Sequence, residues 1–445
     1  MSEIRLNSDQ EKVVNKIKEK IQENKGGFIT ISGGAGTGKT FSVKYAIEDI
    51  IEDSFIAITP SHKACSVLSD SIGKQAVTLA SALGIRLNEF NGSFRPDPMA
   101  KKMIKNKKYV LIDEVSMVSR ELLKEIEREV MDKCIVIMMG DINQLPPVGS
   151  NEPSPAFSDY ETVYLKEIMR QSKESDIAPF LSNLVGAIED KNDFSLDKIN
   201  KKDSDVEYKL SVEDFIKSFV KDSKKDAKGT RVMTYNNEKS QNYLGVKFLN
   251  ESIINKMFGS FELIENFQLM AYSGFNHDPK ERSPSISNFK ITNSVDYSVV
   301  SAGPKRMSTR DVKSYIKDPR DGNRGVKITP VSIEMQKVTL SSNCEDYVFD
   351  CEIPTLSTKG VGKLQEIVNL AFNAKEYQFG YKLMEKFPYL LPGYVCSSHK
   401  SQGSTYTNAY VAYENIISQG KVPYKDKLKS IYVAASRASK KLVIF

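Results

Sequence analysis

Residues 33 to 40 read GGAGTGKT, a glycine-rich loop closed by a lysine and a threonine. Gly33, Gly36 and Gly38 let backbone N–H groups turn inward around phosphates, with Gly34, Ala35 and Thr37 completing the loop. Lys39 adds a mobile positive charge near a terminal phosphate, and Thr40 offers a hydroxyl to Mg²⁺. A nucleoside triphosphate is the ligand this chemistry takes. A second element, YVLIDEVSM, ends an apolar run in Asp113 and Glu114. A carboxylate at that place holds the Mg²⁺ shell, and the neighbouring acid orients and deprotonates an attacking water, so the pair favours hydrolysis over transfer to a metabolite. A third, GDINQLPPV, sets Gln144 beyond Asp141. Its neutral amide suits a sensor touching the γ-phosphate and whatever lies across the cleft. The alternative is a turn-forming polar residue before two prolines.

These groups need strands and helices to hold them. Short apolar runs at 28–32 (FITIS), 55–59 (FIAIT), 109–113 (YVLID) and 134–141 (CIVIMMGD) alternate with amphipathic stretches, the pattern of a parallel sheet covered by helices. The loop lies between the first run and a helix whose Val43, Ala46, Ile47, Ile50 and Ile51 recur on one face. Further strand signals, TRVMTY at 230–235, NAYVAY at 408–413 and KLVIF at 441–445, are too far apart for one simple domain. An insertion from about 271 to 392 separates them: it runs through a turn-rich opening and the basic KRMSTRDVKSYIKDPRDGNRGVK. Strand-like ITPVSIEMQKVTL and EDYVFDCEIP follow, then one or two amphipathic helices over 363–387. A smaller insertion at 84–102 carries Asn91-Gly92, a strong hairpin signal flanked by Phe90 and Phe94.

At 445 residues the chain is too long for one core and should fold as two to four compact units. Hydrophobic and charged fractions of 40% and 27% are those of a soluble globular protein. No apolar run reaches about 18 residues and the first residues are polar, so neither a membrane span nor a signal peptide is expected and the location is cytoplasmic. Five cysteines without a CxxC pair speak for reduced thiols and against a zinc site. A net charge of +6 permits a polyanionic partner without establishing one.

With the three motifs in this order, the chain resembles a superfamily 1 helicase, and later segments narrow the likeness. LKEIMRQS at 165–172 is similar to the segment carrying the family's arginine finger, with Arg170 the candidate. YVCSSHKSQGSTYTNAYV at 394–411 resembles motif V of the RecD-like branch, with His399, Lys400, Gln402 and Gly403 at its centre. IYVAASRASKKLVIF resembles motif VI, in which Arg437 reaches the γ-phosphate from a second domain. ITPSHKAC at 58–65 resembles motif Ia, and LNSDQ at 6–10 the adenine-reading Q motif with Gln10 its reader. The members it most resembles are the Dda-type helicases of T-even-type phages. VTLASALGI at 77–85 holds the motif Ib position, where Ala80 replaces a histidine and only Thr78 carries over as a DNA contact.

This resemblance implies an α/β protein with two RecA-like parallel-sheet P-loop domains. The first spans 1–170 and holds the hairpin of 84–102 as a strand-separating pin. The second is built from 171–270 and 393–445, and 271–392 forms an inserted, mixed α/β or SH3-like tower. It implies ATP and Mg²⁺ as cofactors, translocation from 5′ to 3′ on single-stranded DNA, and separation of duplex strands at forks. It implies work as a monomer, with replication or recombination proteins as further partners. Pro60, Ser61, His62 and Lys63 on one domain and Ser398, His399 and Lys400 on the other become grips on the DNA backbone. Two of the chain's 3 histidines fall in these loops. Phe90 and Phe94 become candidates for stacking on the junction base pair, or else a small cluster that steadies the hairpin. Asn236 and Asn237 are phosphate-contact candidates or caps of the following helix. Two rival readings remain: a DNA-stimulated ATPase that translocates without separating strands, and a small-molecule kinase, which leaves the two arginine segments without a purpose.

Overall fold

The computed structural model describes residues 6–48, 50, 52–87, 94–97, 100–167, 175–191, 193–194, 196, 204–235, 244–276, 290–317, 324–343 and 347–445. They fall into two compact units, one of Met1–Phe219, Gly229–Val246 and Cys396–Phe445, the other of Val220–Lys228 and Lys247–Val395. The second unit therefore takes in chain from 247 onward, ahead of the composition change near 271.

The first unit holds two sheets. Strands β1 (Gly27–Gly33), β2 (Phe55–Thr59), β3 (Ala76–Thr78), β6 (Tyr109–Ile112), β7 (Ile135–Gly140) and β8 (Thr162–Leu165) form a six-stranded sheet in the order β3-β2-β6-β7-β1-β8. Every neighbouring pair is parallel, with Phe28 opposite Val136 and Ile56 opposite Val110. Every residue of β2, β6 and β7 is buried. A parallel sheet covered on both faces hides both sets of side chains, which is why these strands read as continuous apolar runs. Ile29, Ile31, Leu111 and Ile137 pack on one face with Val43 and Leu68; Val110, Ile112, Val136 and Met138 pack on the other with Leu122 and Ile126. The covering helices are α1 (Ser8–Glu23), α2 (Lys39–Ala46), α3 (His62–Ile72), α4 (Leu79–Leu83) and α5 (Arg120–Glu129). Helix α2 stops at Ala46, shorter than its apolar periodicity: Ile47 leaves helical geometry at φ −107°, and Ile47 and Ile50 are buried from the segment that follows.

Between α4 and β6 a two-stranded antiparallel ribbon, β4 (Ile85–Leu87) and β5 (Phe94–Pro96), pairs Leu87 with Phe94. Phe94 is half-buried and packs against the first sheet's core. Phe90 and the Asn91-Gly92 turn lie outside the described residues.

The second sheet of this unit, in the order β18-β10-β19-β20-β9, draws on β9 (Val206–Tyr208), β10 (Thr230–Thr234), β18 (Val395–Ser397), β19 (Tyr406–Val411) and β20 (Ala438–Ile444). Its β10, β19, β20 and β9 run parallel. Helices α6 (Ile177–Ile188), α7 (Val212–Ser223), α11 (Tyr413–Ile417) and α12 (Tyr424–Ala435) accompany it. The short β3, β8, β9 and β18 carry too few residues for a periodicity, and sequence reading passes over them.

The second unit contains α8 (Val246–Phe258) and a small ribbon of β12 (Phe275–Asn276) with β13 (Lys290–Ile291). Its main sheet is antiparallel, in the order β16-β15-β14-β11-β17: β11 (Gln268–Ala271), β14 (Asp296–Lys317), β15 (Arg324–Ser342), β16 (Val348–Pro354) and β17 (Leu390–Pro392). Helices α9 (Lys363–Asn373) and α10 (Tyr377–Lys386) cover part of one face, where Val312, Ile333, Met335, Leu364, Leu383 and Phe387 form a core. The basic stretch from 305 resembles a solvated surface in sequence, yet through Lys317 it is strand. Val312 and Ser314 turn inward while Asp311 and Lys313 turn outward, so one charged face disguises a two-faced element.

Candidate functional site

The glycine-rich loop joins β1 to α2 at the edge where the first sheet's strands end. Gly36 and Gly38 take φ of 80° and 85°, a left-handed backbone that a side chain disfavours. Lys39 Nζ donates to the carbonyl oxygens of Gly33 at 2.7 Å and Gly34 at 3.0 Å, and Thr37 Oγ1 donates to the same Gly34 oxygen at 2.9 Å. Thr40 is half-buried in the first turn of α2.

Gln10 stands directly behind this loop, only 3% exposed. Its carboxamide oxygen accepts the Asn7 N–H in a capping box at the start of α1, and its Nε2 donates to the Thr37 carbonyl at 3.4 Å. A side chain at Gly38 would strike that amide. Gln10 thus braces the loop from α1, with both ends of its amide engaged.

Asp113 follows β6, and Glu114 beyond it adopts φ 54°, a strained geometry for a residue other than glycine and one that collects at functional sites. The Glu114 N–H donates to Asp113 Oδ1 at 2.8 Å. Burial at the strand end, then the Glu114 charge, pushes the Asp113 carboxyl up to about 7, with Lys39 pulling the other way. A hard divalent cation answers the same imbalance, since it neutralises two adjacent acids that one ammonium only partly offsets.

Beyond β7, Asp141 is 2% exposed, accepts the Asn143 N–H at 3.0 Å and is held above the usual carboxylate range by burial. Its Oδ2 accepts from the Tyr432 hydroxyl at 2.6 Å. Gln144, 5% exposed, accepts from Gln402 Nε2 at 3.5 Å. Both partners belong to the second sheet's side of the unit, so segments from opposite ends of the chain meet beside the loop.

Arg437 lies two residues past α12 and is 5% exposed. Its guanidinium donates to the carbonyls of Val433 at 3.0 Å and Ser404 at 3.3 Å, and to Ser436 Oγ at 2.9 Å. These bonds fix the side chain between the end of α12 and the segment leading into β19, with its charge near Asp141 and Tyr432. Arg170 and Asn236 lie outside the described residues.

The nucleic-acid candidates divide into buried and exposed groups. Ser61 caps α3 by accepting the Ala64 N–H at 3.3 Å, and Thr78 caps α4 in the same way with Ser81 at 3.2 Å. Pro60 is half-buried and His62 exposed on the first turn of α3. Lys63 is 9% exposed, its ammonium set against Tyr406 of β19 rather than on the open surface. Ser398 is fully buried, its N–H and hydroxyl both donating to the Thr234 carbonyl. His399 is exposed and edge-on to Tyr235 at 6.3 Å, and Lys400 is half-buried. Gly403, at φ 72°, packs against Ala64, where an added Cβ would lie 2.9 Å from the Ala64 methyl. Sequence reading missed Tyr406 and Tyr432. Both lie inside the quoted motif segments, but nothing in the sequence says which turn of those segments faces the first sheet.

Residues 5–197 match the family model described as an AAA domain. The chain is 26% identical over 513 residues to the uncharacterized protein R530 of Acanthamoeba polyphaga mimivirus, covering 98% of this chain and 99% of that protein. It is 31% identical over 176 residues to the ATP-dependent DNA helicase dda of Enterobacteria phage T4, 38% of this chain and 40% of that protein. The match to the phage helicase thus spans about two-fifths of its length. Among solved structures, the Bacteroides Pif1 helicase in complex with ADP-AlF3 and single-stranded DNA aligns over 99% of this chain and 92% of its own, with 16% identity and a TM-score of 0.47. The phosphate loop, the paired acids and the motif V and VI segments are gathered about one site, and the chain is similar over about two-fifths of its length to the dda helicase and over residues 5–197 to the AAA-domain model.

Proposed function

We infer that the chain is an ATP-hydrolysing DNA helicase, moving from 5′ to 3′ on single-stranded DNA and parting duplex strands at forks. The observation that carries this reading is the meeting of Asp141 and Gln144 with Tyr432 and Gln402 beside the phosphate loop. A motor needs such an arrangement, because a γ-phosphate held by both sheets closes a cleft that its loss reopens. A metabolite kinase needs no second sheet there.

In this scheme the loop N–H groups and Lys39 bind the β- and γ-phosphates. Thr40 and Asp113 hold Mg²⁺, which would neutralise charge on the phosphates. Glu114 orients a water and takes its proton. Gln144 reads the γ-phosphate, and Arg437, with Arg170, stabilises charge on the departing phosphoryl group, a contribution typically worth about 10³ to 10⁵ in rate. Arg437 must first exchange its bonds to Val433 and Ser404, so turnover includes a rearrangement of its turn. His62, His399 and Lys400 are the exposed or half-exposed groups best placed to hold DNA phosphates. The 84–102 insertion serves as the pin and 271–392 as the tower, and the site of action is the cytoplasm of the cell that makes the protein. Among the described residues no helix is long and apolar enough to cross a membrane.

Unwinding of forked DNA carrying either a 5′ or a 3′ single-stranded tail, with ATP and Mg²⁺, tests the reading. Strand separation from the 5′ tail supports it. ATPase indifferent to DNA would overturn it, and DNA-stimulated ATPase without separation would replace it with a translocase.

A further inference from the structure

Thr234 ends β10 at the carboxyl edge of the second sheet, the edge at which parallel sheets hold their ligands. Its carbonyl accepts the Ser398 N–H at 2.8 Å and the Ser398 hydroxyl at 3.3 Å. The residues that follow these two, Tyr235 and His399, are thereby brought side by side: their ring centroids lie 6.3 Å apart and their planes cross at 78°. Asn415 of α11 fixes the tyrosine's backbone from behind. It is fully buried, and its Oδ1 accepts the Tyr235 N–H at 3.0 Å and the Thr234 hydroxyl at 2.5 Å. Its Nδ2 makes no hydrogen bond among the described residues. An amide buried with its donor unused costs free energy, so what the asparagine supplies is the two bonds of its oxygen, which set the direction of the chain at Tyr235.

An edge-to-face pair at this separation is a favourable aromatic geometry. It covers one face of one ring at most, so flat surface is left over. His399 is exposed and Tyr235 half-buried, so the corner made by the two rings reaches solvent. Every base has a π-face that stacks on such a ring whatever the sequence. Lys400, the next residue along, brings the positive charge that suits the phosphates between bases. We propose that Tyr235 and His399 form a base-stacking corner for single-stranded DNA, so that the second sheet's grip holds a base as well as the backbone. A base inside a duplex is stacked between its neighbours and offers no free face, so the corner selects single strands. This rests on the DNA-translocating reading above and deepens it, assigning Tyr235 to the DNA and giving His399 a base to hold.

Fluorescence anisotropy compares binding of labelled oligo-dT with binding of an oligomer of the same length built of abasic sites, which keeps the phosphates and lacks the bases. The unaltered chain should prefer oligo-dT by about tenfold or more, the worth of one stacked base. Tyr235→Ala and Tyr235→Leu should each reduce that preference by about tenfold, and Tyr235→Phe, which keeps the ring, should hold it within about twofold. The salt dependence of oligo-dT binding should be the same in all of them. Equal binding of both oligomers by the unaltered chain, a Leu variant that matches the Phe variant, or a salt slope lower by about 0.7 in the Ala variant, the mark of a lost phosphate contact, would overturn the proposal. If the Tyr235 variants do not fold, His399→Ala takes their place, and a preference unchanged from the unaltered chain overturns it. Failure of the unaltered chain to bind either oligomer would instead remove the DNA reading beneath it.

Discussion

Lys63 of α3 donates to the Tyr406 hydroxyl of β19 at 3.1 Å, and its ammonium lies 5.1 Å from the centre of the same ring. Arg231 of β10 approaches that ring at 5.3 Å. The lysine that sequence reasoning places on the DNA thus ties the first sheet's motif Ia helix to the second sheet. Lys63→Met preserves the stem and removes the charge. It should cost about 1–3 kcal/mol of stability, since the lost bond is charge-assisted and buried. The salt dependence of single-stranded DNA binding should barely move. A slope lower by about 0.7, the value of one phosphate contact on a single strand, would put Lys63 on the DNA after all.

Lys39→Ala removes the charge that spans the Gly33 and Gly34 carbonyls. ATP turnover should fall below detection while binding of single-stranded DNA, measured by fluorescence anisotropy, is retained. Substantial ATPase in this variant would remove the basis of the scheme.

Arg437→Ala should do two things at once. Turnover should drop by about 10³ or more. Stability should fall by about 1–3 kcal/mol, because the Val433 and Ser404 carbonyls lose a buried donor. Paired ATPase and thermal melting check this; a loss of turnover with an unchanged melt would mean that the arginine's own-domain bonds carry no net stability.

The Asp113 carboxyl, raised to about 7 by burial and by Glu114, ties stability to pH with a definite sign. The folded chain binds this proton more tightly than the unfolded chain, whose carboxyl titrates near 3.9. Its contribution is therefore lost as pH rises from about 4 through about 7. Asp113→Asn, which carries no charge at any pH, should melt higher than the unaltered chain at pH 8, with a smaller gap at pH 5. Melting curves at the two values decide it, and a gap that widens toward acid would contradict the sign.

Gly403→Ala forces a side chain into a left-handed backbone and against Ala64, 2.9 Å away. A loss of about 1–2 kcal/mol is expected from the backbone alone, with DNA-stimulated ATPase reduced further than basal ATPase because the contact joins motif V to motif Ia. Equal loss of both rates would confine Gly403 to folding.

The local chemistry was legible in the sequence. The loop from Gly33 to Thr40, the Asp113 and Glu114 pair and the strands that carry them depend on neighbours along the chain, so composition and periodicity reveal them. Sheet strands buried on both faces announce themselves as apolar runs, whereas Asp296–Lys317, with one charged face, does not. What the sequence could not show is which residues touch across hundreds of positions. Tyr432 on Asp141, Lys63 on Tyr406 and Gln402 on Gln144 arise from the packing of one sheet beside another. Tertiary packing decided that Gln10 braces the loop, because a polar side chain takes whichever partner the fold brings within reach, whereas Ser61 and Thr78 cap their helices through bonds three residues along the chain.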